Sequence, residues 1–243
     1  MSVQDYKRAY VWQLPVRVFH WGNAIAIVAL IITGLLIAHP PGIISSKEAS
    51  AQFWFGYIRK IHFMSAYIMF ALLIMRVYWA FVGNKYSNWK VFVPFNKHGA
   101  ASFWHTIKHD IFLLNEQVYN EKSVHTGHND VAAASYLVMF FMALIMVFTG
   151  FGLYADNATW FLPKWFKWVP EFLGGDTNTR VIHHATMWTF ILFSAVHVYL
   201  VLFHDWLEGR GESSAMVSGY KFVRSERTKK EIEEEIEEEK KQL

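Results

Sequence analysis

The stretch RVIHHATMWTFILFSAVHVYLVLFH, residues Arg180–His204, is largely apolar and includes His183 and His197. At about 100° per residue, a separation of fourteen places both rings on one face of a helix, about 21 Å apart along its axis. An imidazole is costly in a membrane-spanning helix unless something binds it. The spacing therefore favours two cofactors stacked across a membrane.

The composition and the lengths of the apolar runs predict an integral membrane protein. Hydrophobic residues make up 53% of the chain and aromatic residues 18%. Crossing the bilayer core takes about 20 apolar residues, and four segments are long enough: about Val16–Ala38, Ile58–Val82, Val131–Ala155 and Arg180–His204. Trp and Tyr are frequent near the segment ends, as in interfacial belts, which disfavours a soluble all-α protein. We predict an all-α bundle of four transmembrane helices.

The remaining segments complete the predicted organisation. Residues 1–223 form the transmembrane domain, and residues 224–243 form a charged cytoplasmic tail that is either a solvated helix or a disordered end. Ala101–Leu114 has one apolar helical face and is predicted to lie on the cytoplasmic membrane surface; a helix docked on a soluble partner is the other interpretation. The N-terminal segment and the loop between the second and third spans hold somewhat more Lys and Arg than the opposite loops, so both termini are predicted to be cytoplasmic.

Two features of the composition exclude whole classes of function. The sequence contains no cysteine, which excludes an iron–sulfur cluster held by this chain, covalent c-type haem attachment, disulfides and a cysteine nucleophile. The formal net charge is +3, and the basic residues are spread among the loops instead of forming a stripe. No nucleic-acid partner is indicated.

Five histidines lie at predicted membrane depth, and the direction of each span pairs four of them. The first span runs outward with His20 near its start, and the second runs inward with His62 near its start. The fourth span also runs inward, with His183 early and His197 late. His20 therefore matches His197 in depth near the cytoplasm, and His62 matches His183 near the outer face. The fifth, His184, competes with His183, but a spacing of thirteen turns its ring about 140° away from that of His197.

Two imidazoles at each of two depths can serve as axial ligands of low-spin, electron-transferring haem, and a four-helix bundle provides the slot between facing helices. The sequence therefore predicts two haems. A membrane transporter and a purely structural anchor are the competing interpretations. A transporter typically has intramembrane carboxylates, broken helices or an internal repeat. The cores of the predicted spans hold no Asp or Glu, and we find no repeat.

Several stretches of the chain resemble a known family. They include PVRVFHW (Pro15–Trp21), GYIRKIHF (Gly56–Phe63), MRVYWAFVGNKYS (Met75–Ser87) and HHATMW (His183–Trp188), within a resemblance that covers about residues 10–221. These stretches look like the cytochrome b subunit of membrane-bound nickel–iron uptake hydrogenases, a cytochrome b561-like four-helix family. The first stretch and the paired histidines of the last span are shared with the cytochrome b subunit of formate dehydrogenase. The second and third stretches favour the hydrogenase branch.

The resemblance implies a function, cofactors and partners. It implies two b-type haems, one held by His62 and His183 and one by His20 and His197. The partners would be an iron–sulfur small subunit and a nickel–iron large subunit on the periplasmic side, where H2 is oxidised. Electrons would enter the outer haem, cross to the inner haem and reduce a quinone, so this chain would anchor the complex in the lipid of the bacterial inner membrane without itself catalysing H2 oxidation. The equivalent subunit of formate dehydrogenase, or of another quinone-linked respiratory oxidoreductase, is the alternative.

Basic and polar residues near the histidines are further candidates. Arg17, Arg59 and Arg180 each lie three positions before a histidine and so project near that histidine's side of the helix. We predict that they neutralise haem propionates; snorkelling to lipid headgroups is the other interpretation. Arg76 lies farther from a ligand and indicates a cytoplasmic-side anchor or a neighbour of the quinone site. The candidates for quinone contacts at the inner end of the fourth span are Tyr199, His204 and Asp205.

Overall fold

The computed structural model describes residues 6–42, 53–92, 130–208 and 212–224. The predicted surface helix at Ala101–Leu114 and the charged tail beyond residue 224 lie outside these residues. The described elements are strand β1 (Tyr6–Tyr10), helices α1 (Leu14–Ala38) and α2 (Trp54–Val82), a 3₁₀ turn (Trp89–Phe92), α3 (Asp130–Tyr154), a second 3₁₀ turn (Ala155–Asn157), α4 (Phe161–Lys164), α5 (Trp168–Phe172), α6 (Asp176–Glu208), α7 (Glu212–Ser218) and strand β2 (Tyr220–Arg224).

Four of these helices, α1, α2, α3 and α6, are long and apolar enough to cross a membrane, which confirms the four predicted spans. The bounds differ most in the fourth span, because α6 begins one turn earlier than predicted, at Asp176, and continues to Glu208. The early start follows Gly174 and Gly175, whose φ angles of 82° and 108° are readily adopted only by glycine and end the preceding turn. The first span begins with Pro15 in its first turn, where a missing N–H leaves no helical bond unmade.

The core of the bundle is a contact among three helices. Gly22 lets α1 approach α2 closely, since a Cβ atom there would lie 2.7 Å from Cδ1 of Leu72. Small residues at such contacts allow the close van der Waals packing that holds helices together in lipid. The buried members of this core are Ala26 and Leu30 from α1, Met69 and Leu73 from α2, and Val147 and Phe151 from α3.

A two-stranded antiparallel sheet joins the two ends of the described chain, and the sequence analysis did not predict it. β1 pairs with β2 in a register that sets Tyr6 opposite Arg224 and Tyr10 opposite Tyr220. A two-stranded ribbon is marginally stable alone and needs further packing. That packing comes from a buried cluster between the sheet and the bundle, formed by Val11, Trp12, Val16 and Ala215.

The sheet lies at one end of the bundle, which we call the sheet end; the opposite end is the distal end. Two side chains of α1 fasten the C-terminal segment there. Arg17 donates from Nη1 to the carbonyl of Val217, and Trp21 donates from Nε1 to the carbonyl of Met216 at 3.0 Å. The C-terminal segment is therefore held beside His20, the first of the predicted ligands.

Candidate functional site

The half of the bundle nearer the sheet end brings His20 of α1 and His197 of α6 together. Their ring centroids are 6.2 Å apart, and the ring planes make an angle of 60°. Two imidazoles bound to one iron from opposite sides need about this separation, because a metal–imidazole nitrogen bond is about 2 Å long. The buried Nδ1 of His20 has no hydrogen-bond partner in the part of the chain that the structure describes. The ring of His197 stacks on Phe193.

A second level lies nearer the distal end, where α1, α2 and α6 meet. A Cβ atom at Gly34 of α1 would lie 3.5 Å from Cε1 of His62 and 3.8 Å from Sδ of Met187. Met187 is one turn beyond His183 on α6, so Gly34 lies beside both His62 and the turn of α6 that follows His183. The two predicted outer ligands therefore share this level.

The two levels are separated by the same length of helix on α1 and on α6. Fourteen residues separate His20 from Gly34 on α1, and fourteen separate His183 from His197 on α6. Each interval spans about 21 Å at 1.5 Å per residue. The histidines that the span directions paired are thus the ones that the structure brings to common levels.

Each histidine of the distal level contacts a threonine of a neighbouring helix. Nδ1 of His62 lies 2.9 Å from Oγ1 of Thr33, and Nδ1 of His183 lies 2.8 Å from Oγ1 of Thr149. Each hydroxyl donates its own proton to a carbonyl four residues earlier, at 2.6 Å in both helices. The threonine oxygen must then accept from the ring, so Nδ1 carries the proton and Nε2 keeps the lone pair that a metal binds.

A glycine follows each of these threonines and leaves room for the same ring. A Cβ atom at Gly150 would lie 3.2 Å from Cε1 of His183, as one at Gly34 would lie close to the ring of His62. Sequence reasoning missed all four residues. The signal that could have found them is the Thr-Gly dipeptide, which occurs at residues 33–34 and again at 149–150, once in each of two predicted spans.

The remaining predicted site residues take different positions. His184 is exposed, whereas its neighbour His183 is half-buried and turned toward α3. Arg59 and Arg180 are exposed near the distal end. Arg17 is half-buried at the sheet end, and its buried Nε has no hydrogen-bond partner among the described residues.

Arg76 is the most deeply buried arginine of the described residues. Its side chain is 4% exposed, which contradicts the interpretation of a cytoplasmic-side anchor that reaches the membrane surface. Its guanidinium carbon lies 5.1 Å from the ring centroid of Phe92 and 5.1 Å from that of Tyr136. The guanidinium hydrogen-bonds to Tyr136, whereas its Nε and Nη1 have no hydrogen-bond partner among the described residues. Of the predicted quinone contacts, Tyr199 is exposed and Asp205 is half-buried; the side chain of His204 lies outside the described part.

The arrangement of these side chains suits haem better than a bare metal ion. Among the described residues, no group of three or more His, Cys, Asp or Glu side chains gathers in a way that could hold an ion. A haem brings its own four equatorial nitrogens and needs only axial ligands from the protein. Pairs of imidazoles on different helices, with a glycine beside each distal ring, meet that need. The residues present therefore fit haem.

Comparison with known proteins agrees with this chemistry. A family model described as prokaryotic cytochrome b561 matches residues 11–219. The chain belongs to this family. The probable Ni/Fe-hydrogenase B-type cytochrome subunit of Cupriavidus necator is 36% identical to this cytochrome over 226 residues, which cover 90% of this chain and 89% of the relative.

Two further relatives are similarly close. The probable Ni/Fe-hydrogenase 1 B-type cytochrome subunit of Escherichia coli K12 is 35% identical to this cytochrome over 218 residues, or 87% of this chain and 90% of the relative. The probable Ni/Fe-hydrogenase B-type cytochrome subunit of Rhodobacter capsulatus is 33% identical over 231 residues, or 93% and 86%. These matches confirm the resemblance found from the sequence.

Family membership also confirms the fold class and the kind of cofactor. The matched region includes all four spanning helices and the four paired histidines. This cytochrome is a helical, multi-pass membrane protein, and its family implies b-type haem.

Proposed function

We propose that this cytochrome is the di-haem electron-transfer subunit and membrane anchor of a respiratory nickel–iron hydrogenase. His62 and His183 would hold one haem b, and His20 and His197 the other. The relatives, each named as a hydrogenase B-type cytochrome subunit, support the partner. The observation that carries the proposal is the 6.2 Å pairing of His20 and His197 across two helices, since imidazoles at membrane depth are costly unless they are used.

In this proposal the haems and the protein side chains have separate roles. A bound haem supplies a reversible one-electron couple whose potential the axial ligands, burial and hydrogen bonding adjust. The side chains of this cytochrome hold two such groups at levels about 21 Å of helix apart. They also orient the rings of His62 and His183 through hydrogen bonds to threonines. Two levels divide a crossing of the whole membrane into shorter transfers.

The sheet end would face the cytoplasm. β1 pairs with β2, so the N-terminal and C-terminal segments lie on one side, as an even number of spans requires. The modest excess of Lys and Arg in the loops predicted on that side supports a cytoplasmic location for it. In the bacterial inner membrane, the level of His62 and His183 would then lie toward the periplasm and receive the electrons.

The iron–sulfur small subunit would bind at the distal end and link this cytochrome to the nickel–iron large subunit. The segment between α3 and α6 is rich in exposed aromatic side chains, which are typical both of protein interfaces and of membrane–water boundaries. An ion pair of 2.7 Å between Lys167 and Asp156 lies in the same segment, and the hydrogen bond to Asp156 raises the pKa of Lys167. The exposed aromatic residues are Trp160, Phe161, Trp165, Trp168 and Phe172.

The quinone would bind at the sheet end near Arg76. A quinone needs an apolar slot with a polar donor for its carbonyl oxygens. The rings of Phe92 and Tyr136 provide apolar surface beside the guanidinium, and the Nε and Nη1 of Arg76 provide donors. Tyr199 is a weaker candidate because its side chain is 61% exposed.

The test of the proposal is a visible difference spectrum of native membranes that contain this cytochrome, exposed to H2 and, separately, to formate. We expect H2 alone to reduce a b-type haem signal that disappears when the chain is deleted. If formate alone reduced the haem signal, the proposed bundle and haem ligands would stand, but the proposed partner would be wrong. No chain-dependent haem signal under dithionite would refute the proposal.

The role of Arg76 makes a separate prediction. Arg76→Gln should lower the rate of quinone reduction by about tenfold or more, because a hydrogen bond from a charged donor contributes about 1.5–3 kcal/mol. Reduction of both haems by H2 should persist. Arg8→Gln, which changes an exposed arginine of β1, is the matched control and should leave both rates unchanged. An unaltered quinone rate in Arg76→Gln would move the quinone site elsewhere.

A further inference from the structure

The Thr-Gly pairs, Thr33–Gly34 in α1 and Thr149–Gly150 in α3, make the same contacts with different histidines. In each pair the threonine oxygen lies within 2.9 Å of a histidine Nδ1, and a Cβ atom on the glycine would lie within 3.5 Å of Cε1 of the same ring. The histidines come from different helices, His62 from α2 and His183 from α6. Two different helices thus hold the two rings of one level in the same way.

Both threonines are buried, so the loss of either hydroxyl would leave the ring Nδ1–H without its acceptor. Thr33 is 6% exposed and Thr149 is 2% exposed, so water cannot readily replace a lost hydroxyl. The threonine protons are committed to the carbonyls of Ala29 and Ile145. Each hydroxyl oxygen is therefore available as an acceptor for the ring Nδ1–H, which fixes both the tautomer and the direction of Nε2.

The sheet-end level lacks one element of this arrangement. Nδ1 of His20 is buried without a hydrogen-bond partner among the described residues. Accepting a hydrogen bond from a ligating imidazole raises the basicity of the ligand, and a more basic ligand favours ferric over ferrous iron. Hydrogen bonds to the ligand rings should therefore lower the reduction potential of the distal haem, whereas His20 has no such bond among the described residues.

We propose that the two Thr-Gly pairs are positioning residues that set the reduction potential of the distal haem. Each hydroxyl holds one ligand ring through its Nδ1–H, and each glycine leaves the room that the ring needs. The inference rests on the proposed function, because it takes His62 and His183 as the ligands of that haem.

Thr33→Val and Thr149→Val test the hydroxyls, since valine keeps the shape and cannot accept the hydrogen bond. Redox titration of the haem absorbance in membranes would resolve the two haems, the distal one being the component that is missing in His183→Ala. Loss of a ligand's supporting hydrogen bond typically changes metal binding by about tenfold or more. If the lost hydrogen bond weakens the binding of ferric haem tenfold relative to that of ferrous haem, the reduction potential of the distal haem rises by about 59 mV for a one-electron couple. The other haem should keep its potential.

Matched controls separate positioning from packing. Thr186 of α6 is also buried, at 6% exposure, and its hydroxyl likewise donates to a carbonyl four residues earlier, that of Ile182 at 2.8 Å. Unlike Thr33 and Thr149, it has no hydrogen bond to a histidine of the described residues. Thr186→Val should leave both potentials unchanged. Thr33→Ser and Thr149→Ser keep a hydroxyl and should retain the parental potential.

The glycines give a second, independent readout. Gly150→Ala should displace the ring of His183 more than Gly34→Ala displaces the ring of His62. The added Cβ atom would lie 3.2 Å from Cε1 of His183 and 3.5 Å from Cε1 of His62. The displacement should appear as a loss or broadening of the low-spin signal of the distal haem in electron paramagnetic resonance. The signal of the other haem should persist.

Three results would overturn the inference. One is an unchanged distal potential in both valine variants, and another is an equal shift in Thr186→Val. The third is loss of both haems in the valine and serine variants alike, since a packing defect would then account for the change. If His183→Ala keeps both haems, the ligand assignment of the proposed function fails; if it loses the distal haem while the valine variants are unchanged, only the role of the Thr-Gly pairs fails.

Discussion

Replacing His183 by Ala is expected to remove the distal haem and to abolish reduction of the remaining haem by H2. His183 is held between Thr149 and Gly150 of α3 and faces the level of His62. A methyl group in its place leaves the iron with one imidazole, so a six-coordinate, low-spin centre with two histidines cannot form. Because electrons enter at this level in the proposed path, the transfer to the second haem also stops. The haem-to-protein ratio should fall by half, and dithionite should still reduce the haem that remains.

The control for this prediction is His184→Ala. His184 is the adjacent residue and carries the same side chain, but it is exposed. Its replacement should retain both haems and the response to H2. If His183→Ala kept both haems while His184→Ala lost one, our choice of ligand would be wrong.

The second large effect is expected from His197→Ala, which should remove the haem at the sheet end. His197 faces His20 at 6.2 Å between ring centroids. The distal haem should still be reduced by H2, because its ligands and its position next to the donor are unchanged. Quinone reduction should fall to background, since the electron has no site near the acceptor.

His20→Ala should reproduce this behaviour, because it removes the opposite ligand of the same iron. His39→Ala is a suitable control, since His39 is exposed just after α1 ends. Parental rates of quinone reduction in both His20→Ala and His197→Ala would contradict a haem at the sheet end. Loss of both haems in every histidine variant would indicate misfolding of the bundle instead.

Most of the bundle could be predicted because its signals are local in the sequence. A span is recognised by the length of its apolar run, and the offset of His183 and His197 follows from the helical repeat. The pairing of His20 with His197 needed only the order and direction of the spans. Each of these inferences holds whatever the rotation of one helix about its axis relative to the next.

The contacts between elements could not be predicted in the same way. β1 and β2 are five residues each and pair across more than two hundred residues, so neither carries a hairpin signal. The burial of Arg76 beside the stacked rings of Phe92 and Tyr136 depends on which side of α2 faces α3. A basic residue two turns from a helix end has the same appearance in sequence whether it lies in the core or snorkels to lipid.

The sequence by itself determined the number of spans, the depths of the histidines and, through its short motifs, the family. Only the tertiary structure decided what surrounds the ligands: Thr33 lies 29 residues before His62, and Thr149 lies 34 before His183. Apolar length and helical period are properties of one segment, whereas a hydrogen bond between helices requires a particular rotation and separation of two. That orientation is set by side-chain packing across the whole bundle, so it becomes known only when the helices are seen together.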